Sequence, residues 1–221
     1  MGFNVKAVMF DLDGTLVNTA PEIAFAANQM LGALALPVKS PALITSYIGE
    51  GAQMLIKRCV TVNAAIEPDA QLLQEAQSLF FEHYAQHVTR SQPYYGVIET
   101  LDKLKNIGFK LACVTNKPEK FTIPLLESTG MSDFFEVVVS GDTLHKKKPD
   151  PLPLHHVCKK LDVLEAESMM VGDSETDVVA AHAAGCYIVT VPYGYNQGRQ
   201  IDEAMVDATI DDLSDLLNLL T

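Results

Sequence analysis

Asp11 and Asp13 stand two positions apart at the end of the apolar run VKAVMF, with Gly14 and Thr15 directly behind them. Carboxylates at the end of a buried run are costly unless they bind a cation or take part in chemistry. Three further sets of polar residues follow other apolar runs. Thr115 ends FKLACVT and Asn116 follows it, Lys148 precedes Pro149 after FEVVVS, and Asp173 and Asp177 fall in GDSETD after SMMV. Together they supply a carboxylate nucleophile, a second carboxyl, a hydroxyl, a lysine and further acids. Oxygen-only ligands favour Mg²⁺, which binds through one or two carboxylates, water and substrate phosphate. The chemistry this set suits is phosphoryl transfer.

Such groups converge only if the chain brings several strand ends together. The apolar runs Val5–Phe10, Phe109–Thr115, Phe135–Ser140, Ser168–Asp173 and Cys186–Val191 are rich in Val and apolar on both faces, as buried parallel strands are. Amphipathic stretches separate them, among them VIETLDKLKNIG, which stops at Gly108. Strands alternating with helices predict an α/β fold, a Rossmann-like, doubly wound parallel sheet with right-handed crossovers. Ligands in such sheets bind beyond the carboxyl ends of the strands, where all four polar sets fall.

One interval breaks the alternation. From Val17 to Pro93 the sequence shows only helical patterns: APEIAFAANQMLGAL, GAQMLIKRCV and PDAQLLQEAQSLFFEHYAQHV. The expected organisation is an α/β core of residues 1–17 and 93–221, with a small all-helical cap of residues 18–92 inserted after the first strand on two hinge strands. The final DDLSDLLNLL reads as a terminal helix packed on the sheet.

The composition narrows the partners. The chain has 221 residues, 48% hydrophobic and 20% charged, as in an ordinary globular protein. A net charge of −12 argues against nucleic acid, which is bound by clustered Lys and Arg. An anionic substrate must therefore be drawn in by a local positive site. No segment is apolar over the roughly 18 residues a membrane helix needs, and the N-terminus lacks a convincing signal peptide. Cys59, Cys113, Cys158 and Cys186 form no C-x-x-C pair and read as buried, reduced thiols. The expected setting is cytoplasmic, with a small phosphorylated metabolite as partner, no nucleic acid and no membrane, in a monomer or homodimer.

The ordered motifs D-x-D-G-T, Thr-Asn, Lys-Pro and G-D-S-x-x-D resemble the Mg²⁺-dependent phosphatase branch of the haloacid dehalogenase superfamily. The match runs from Asp11 to Asp177, and the helical insertion looks like that family's small cap. The stretches SGDTLHKKKPDPLPL, VGDSETDVVAAHAAG, PYGYNQG and YIGEGAQMLIKR are more narrowly similar to the phosphoglycolate phosphatases. The resemblance implies that Asp11 attacks phosphorus to form an aspartyl-phosphate, and that Asp13 protonates the leaving alkoxide and then activates water. Mg²⁺ would be held by Asp11, Asp173 and the backbone carbonyl of Asp13, with Asp177 fixing metal-bound water. Thr115, Asn116, Gly14 and Lys148 would serve the phosphate. At a carboxyl reference pKa of about 3.9, Asp11 is expected to be ionised at neutral pH.

Bland readings stand beside these. Ser174 to Asp177 also fits a helix capping box, and both roles can coexist. Lys146 and Lys147 of HKKKPD read as surface residues. His83 and His87, four apart, lack an apparent third ligand. GEGAQM lacks the last glycine of a dinucleotide fingerprint. It is expected instead to place Glu50, Gly51 and the following helix start near the leaving group, where backbone N–H groups could receive a small carboxylate, with Arg58 assisting or facing water. A phosphosugar mutase, a phosphatase of another small metabolite and a phospho-accepting receiver are the competing functions. A dehalogenase has no use for Asp13 or the metal acids.

Overall fold

A computed structural model describes residues 2–61 and 67–221. Six strands form one sheet: β1 (Ala7–Phe10), β4 (Lys110–Val114), β5 (Val137–Val139), β6 (Ser168–Gly172), β7 (Tyr187–Thr190) and β8 (Ala208–Thr209). Their order is β5-β4-β1-β6-β7-β8 and every pairing is parallel. Each of the five expected runs contains a strand, trimmed by a residue or two at the ends. β8 went unread because two residues are too few to show a period. The central β1, Ala-Val-Met-Phe, is fully buried, which is why it carries no polar alternation.

Helices α5 (Val97–Asn106), α6 (Glu119–Ser128), α7 (Leu152–Leu161) and α8 (Glu175–Ala184) cover the sheet. They divide its side chains between two apolar clusters. Val8, Phe10, Leu111 and Met169 belong to one, and Ala7, Met9, Ala112 and Met170 to the other. This alternation along each strand is what a sheet covered on both faces requires.

After β1 the chain turns and enters a two-stranded antiparallel ribbon, β2 (Val17–Asn18) with β3 (Gln92–Pro93). Between these strands the described residues form α1 (Ala20–Ala33), α2 (Pro41–Thr45), α3 (Ala52–Val60) and α4 (Ala70–Ala85). The short α2 was not expected. It begins with Pro41 behind Ser40, whose hydroxyl accepts from the Leu43 N–H at 3.3 Å. Among the described residues the helical insertion carries no separate core. Leu55, Ile56, Phe80 and Tyr84 belong to the same apolar cluster as Phe10 and Leu104.

The C-terminal segment is less regular than a single helix. A 3₁₀ turn over Leu213–Asp215 leads into the one-turn α9 (Leu216–Leu219), and Leu213 and Leu216 are buried. Among the described residues no helix is long and apolar enough to cross a membrane.

Candidate active site

The strand order reverses on either side of β1, which pairs with β4 on one edge and β6 on the other. Crevices of parallel sheets open at such points. The polar residues just beyond these strands are held by the sheet itself. The Asp11 N–H donates to Val171 O and the Thr115 N–H to Val139 O, both at 2.9 Å, so the ladder extends one residue past β1 and β4. Sequence distances of more than a hundred residues thereby become side-chain contacts.

Asp11, Asp173 and Asp177 are buried, and each offers a carboxylate oxygen within 4.8 Å of the others. Lys148 lies among them, its Nζ 2.6 Å from Asp177 Oδ1 and 3.0 Å from Asp11 Oδ1. One ammonium thus faces three acids. Burial pushes the Asp11 pKa up to about 7 against the pull of Lys148, with Asp177 and Asp13 adding to the rise. Burial together with Asp11 and Asp177 holds Asp173 well above the ordinary carboxylate range. The reference value expected for Asp11 belongs to a solvated group; without a bound cation this one is desolvated beside like charges, which shifts it upward.

That imbalance is also the test of the implied cation. The cluster holds excess negative charge, its donors are all oxygen, and Asp11 Oδ1 takes no hydrogen bond of good geometry although Lys148 is near. A hard divalent ion such as Mg²⁺ fits a donor set of this kind. Asp173 is already aimed: Thr15 Oγ1 donates to its Oδ1 at 3.1 Å and the Tyr195 N–H to its Oδ2 at 2.6 Å. Gly14, at φ +92°, allows this approach, since a Cβ there would sit 2.5 Å from Asp173 Oδ2. Asp177 has less to spare. Its Oδ1 takes Lys148, and its Oδ2 takes the Ser174 N–H at 3.1 Å and hydroxyl at 2.7 Å. These contacts are the helix-capping arrangement the sequence suggested.

Asp13 stands apart from the acid trio. Beyond Asp11 the chain leaves the extended path, and the N–H groups of Leu16 and Val17 both donate to Leu12 O. Both aspartates still line one cavity, along with Thr115, Asn116, Gly49 and Gly51. The partner of Asp13 is Lys117, whose Nζ is 2.8 Å from Asp13 Oδ1 and 2.5 Å from the Tyr84 hydroxyl. Burial opposes the charge on Lys117, but Asp13 and Tyr84 outweigh it and hold its pKa above the ordinary value. Lys117 was missed. Its only sequence signal was its place directly after Thr115 and Asn116.

The remaining expected residues divide. Thr115 Oγ1 accepts from the Lys117 N–H at 3.2 Å and lies at the cavity wall. Asn116 spends its amide hydrogens on Gly49 O at 3.0 Å and Lys148 O at 2.9 Å, tying the helical insertion to the sheet. Gly51 precedes α3 at φ +88° on the cavity wall, with Lys147 Nζ in the space a Cβ would need. Glu50 and Arg58 are not on that wall. They pair with each other at 2.5 Å, and Glu50 Oε1 also accepts from Gln197 at 2.8 Å. Lys147, expected as a surface residue, is half-buried and donates to Glu50 O at 2.7 Å. Lys146 remains outside, paired with Asp150. His87 packs edge-on against Phe25, and His83 and His87 enter no metal-ligand group among the described residues.

Tyr195 is a second residue missed. Its hydroxyl accepts from the N–H groups of Thr19 and Ala20 at 2.8 and 3.0 Å, capping α1, while its own N–H holds Asp173. The segment containing it was noticed only for its resemblance.

Residues 8–191 match the family model of haloacid dehalogenase-like hydrolases. The chain belongs to that family. As a haloacid dehalogenase-like hydrolase it is 47% identical over 218 residues to a phosphoglycolate phosphatase of Thiobacillus denitrificans, covering 98% of this chain and 96% of the relative. A phosphoglycolate phosphatase of Nitrosospira multiformis is 46% identical over 220 residues, with the same coverage. The crystal structure of a protein from Haemophilus somnus 129pt, described as a predicted phosphoglycolate phosphatase, superimposes with a TM-score of 0.92 at 36% identity, covering 97% of each chain. These relatives are phosphoric monoester hydrolases by name, and the hydrolase described here carries the same fold over nearly its whole length.

Proposed function

We propose that this hydrolase cleaves 2-phosphoglycolate to glycolate and phosphate through an aspartyl-phosphate on Asp11, with Mg²⁺ as cofactor. The observation that carries the reaction type is the single lysine among three buried acids at the β1 switch point. The substrate is carried by the names of relatives up to 47% identical over nearly the full chain.

In this reading Asp11, Asp173 and the Asp13 carbonyl would hold the ion, which would supply positive charge against the repulsion between carboxylate and phosphate. The Asp177 carboxylate, engaged by Lys148 and Ser174, would aim Lys148 and support the metal site from behind. Lys148 orients Asp11 and neutralises charge on the phosphoryl oxygens. Asp13 gives a proton to the leaving glycolate oxygen and takes one from the incoming water. Thr115 and the backbone at Gly14 receive the phosphate, and Asn116 steadies the loop around it. Residues 18–92 act as the cap over a core of 1–17 and 93–221. Four buried free thiols support a reducing, cytoplasmic setting.

Incubation with Mg²⁺ and a panel of phosphate esters tests the reading, with phosphate release fastest from 2-phosphoglycolate. With a substrate made chiral at phosphorus, turnover in isotopically labelled water should give phosphate with retained configuration, as two successive displacements at phosphorus require. Inversion would replace the covalent route with direct attack by water.

A further inference from the structure

The cavity that receives the leaving group is mostly apolar, walled by Ile23, Leu55, Phe80 and Phe121, and Lys117 is the single cation on its described wall. An ammonium has three hydrogens. Two of those on Lys117 go to Asp13 and Tyr84, which leaves one. The Tyr84 hydroxyl accepts from Lys117, and its own hydrogen has no acceptor among the described residues. Both side chains are buried and both line the cavity. Two unused donors, one charged, therefore meet in a desolvated space beside the carboxyl that handles the leaving oxygen.

We infer that Lys117 and Tyr84 form the carboxylate reader of this enzyme, binding the carboxylate of the leaving glycolate and so determining which ester is cleaved. The inference rests on the phosphoglycolate phosphatase reading above and names the residues that enforce it. Bond counting carries it. In 2-phosphoglycolate a single CH₂ joins the ester oxygen to the carboxyl carbon. The group that recognises the carboxylate must then lie next to the group that protonates the ester oxygen. Lys117 meets that condition, at 2.8 Å from Asp13. Arg58, the cation the sequence offered for this task, is committed to Glu50 away from the cavity wall. Charge agrees with distance: in an apolar pocket an unpaired carboxylate is strongly disfavoured, and one bound ammonium decides between esters that differ only in that group.

The test is a specificity ratio. Values of kcat/KM for 2-phosphoglycolate and for 2-hydroxyethyl phosphate, a phosphate ester of similar length whose leaving group is uncharged, are measured with the Mg²⁺-loaded full-length enzyme. Any effect of Lys117 on Asp13 acts on both esters and cancels in the ratio. Wild type should favour the carboxylate ester, and Lys117→Met should lower the ratio roughly 10- to 100-fold, as expected for lost hydrogen bonds to a charged group. Lys117→Arg should recover part of it. Tyr84→Phe should lower the ratio by roughly 3- to 10-fold and weaken inhibition by glycolate in parallel. If wild type prefers 2-phosphoglycolate but Lys117→Met leaves the ratio unchanged, the inference fails while the phosphatase reading stands. If wild type shows no preference between the esters, the substrate reading falls and takes the inference with it. Should Lys117→Met not fold by circular dichroism, an unchanged ratio and unchanged glycolate inhibition in Tyr84→Phe overturn the inference alone.

Discussion

The acid cluster beyond the central strands and the Gly49–Arg58 segment, a glycine turn leading into α3, both contain residues that sequence reasoning assigned to the site, yet they behave differently. Asp11, Lys148, Asp173 and Asp177 are scattered over more than 160 positions and meet within a few ångströms. Glu50, Gly51 and Arg58 are neighbours in sequence, and only Gly51 reaches the cavity wall. The reason is directional. A residue one step past a parallel strand is still held by the ladder and points where the sheet edge points. A glycine loop before a helix carries no such constraint, and Glu50 turned aside to fasten α3 to Lys147 and Gln197. Proximity in sequence is therefore weaker evidence for a shared site than a shared position at strand ends.

Substitutions can break this contrast, beginning with the acid cluster. If Asp11 is the nucleophile proposed above, Asp11→Asn should lower turnover by roughly 10⁴-fold or more, measured as phosphate release, because no other group would replace it. The same change should raise thermal stability in EDTA at pH 8. The Asp11 pKa is about 7 in the folded chain against an ordinary 3.8, so the folded state holds a proton that the unfolded state releases earlier. Wild-type stability thus falls as pH rises between those values, and the advantage of the asparagine should shrink by pH 5 in parallel melts.

Lys148→Met should destabilise the metal-free protein by about 3–5 kcal/mol in urea titrations, since it leaves Asp11 and Asp177 buried without their cation. Added Mg²⁺ should recover part of that loss. In the wild type Mg²⁺ should raise Tm, and more at pH 8 than at pH 6, because the raised acids must lose protons to bind it. A Tm shift independent of pH would place the ion elsewhere.

The Gly49–Arg58 segment should respond weakly. Glu50→Ala removes a partly exposed pair and should raise KM by about two- to five-fold with kcat little changed. Arg58→Ala should change either constant by less than about two-fold. A loss from Arg58→Ala as large as that from Lys148→Met would erase the distinction between the two regions.

Much of the site was legible because its residues obey short-range rules. The buried runs mark strands, and the polar residues directly after Phe10, Val114 and Gly172 mark the strand ends. Lys117 escaped notice because a lysine at a helix start reads as an ordinary exposed cation, and nothing local announces a tyrosine 33 positions earlier. Tyr195 escaped for a similar reason: its hydroxyl caps a helix 175 residues away, a task usually given to the residue at the helix start. The two-residue β8 lies below the length at which periodicity exists.

The amino-acid order by itself determined the parallel sheet, the helical insertion and the set of acids, hydroxyl and lysine beyond the strands, since burial on both faces and strand-end placement leave marks every few residues. Only the tertiary structure decided the burial of Asp11 beside like charges, the partner of Asp13 and the lining of the cavity that both aspartates share. Those depend on desolvation and on distances between side chains that the chain brings together from far apart, and neither quantity is carried by any local pattern.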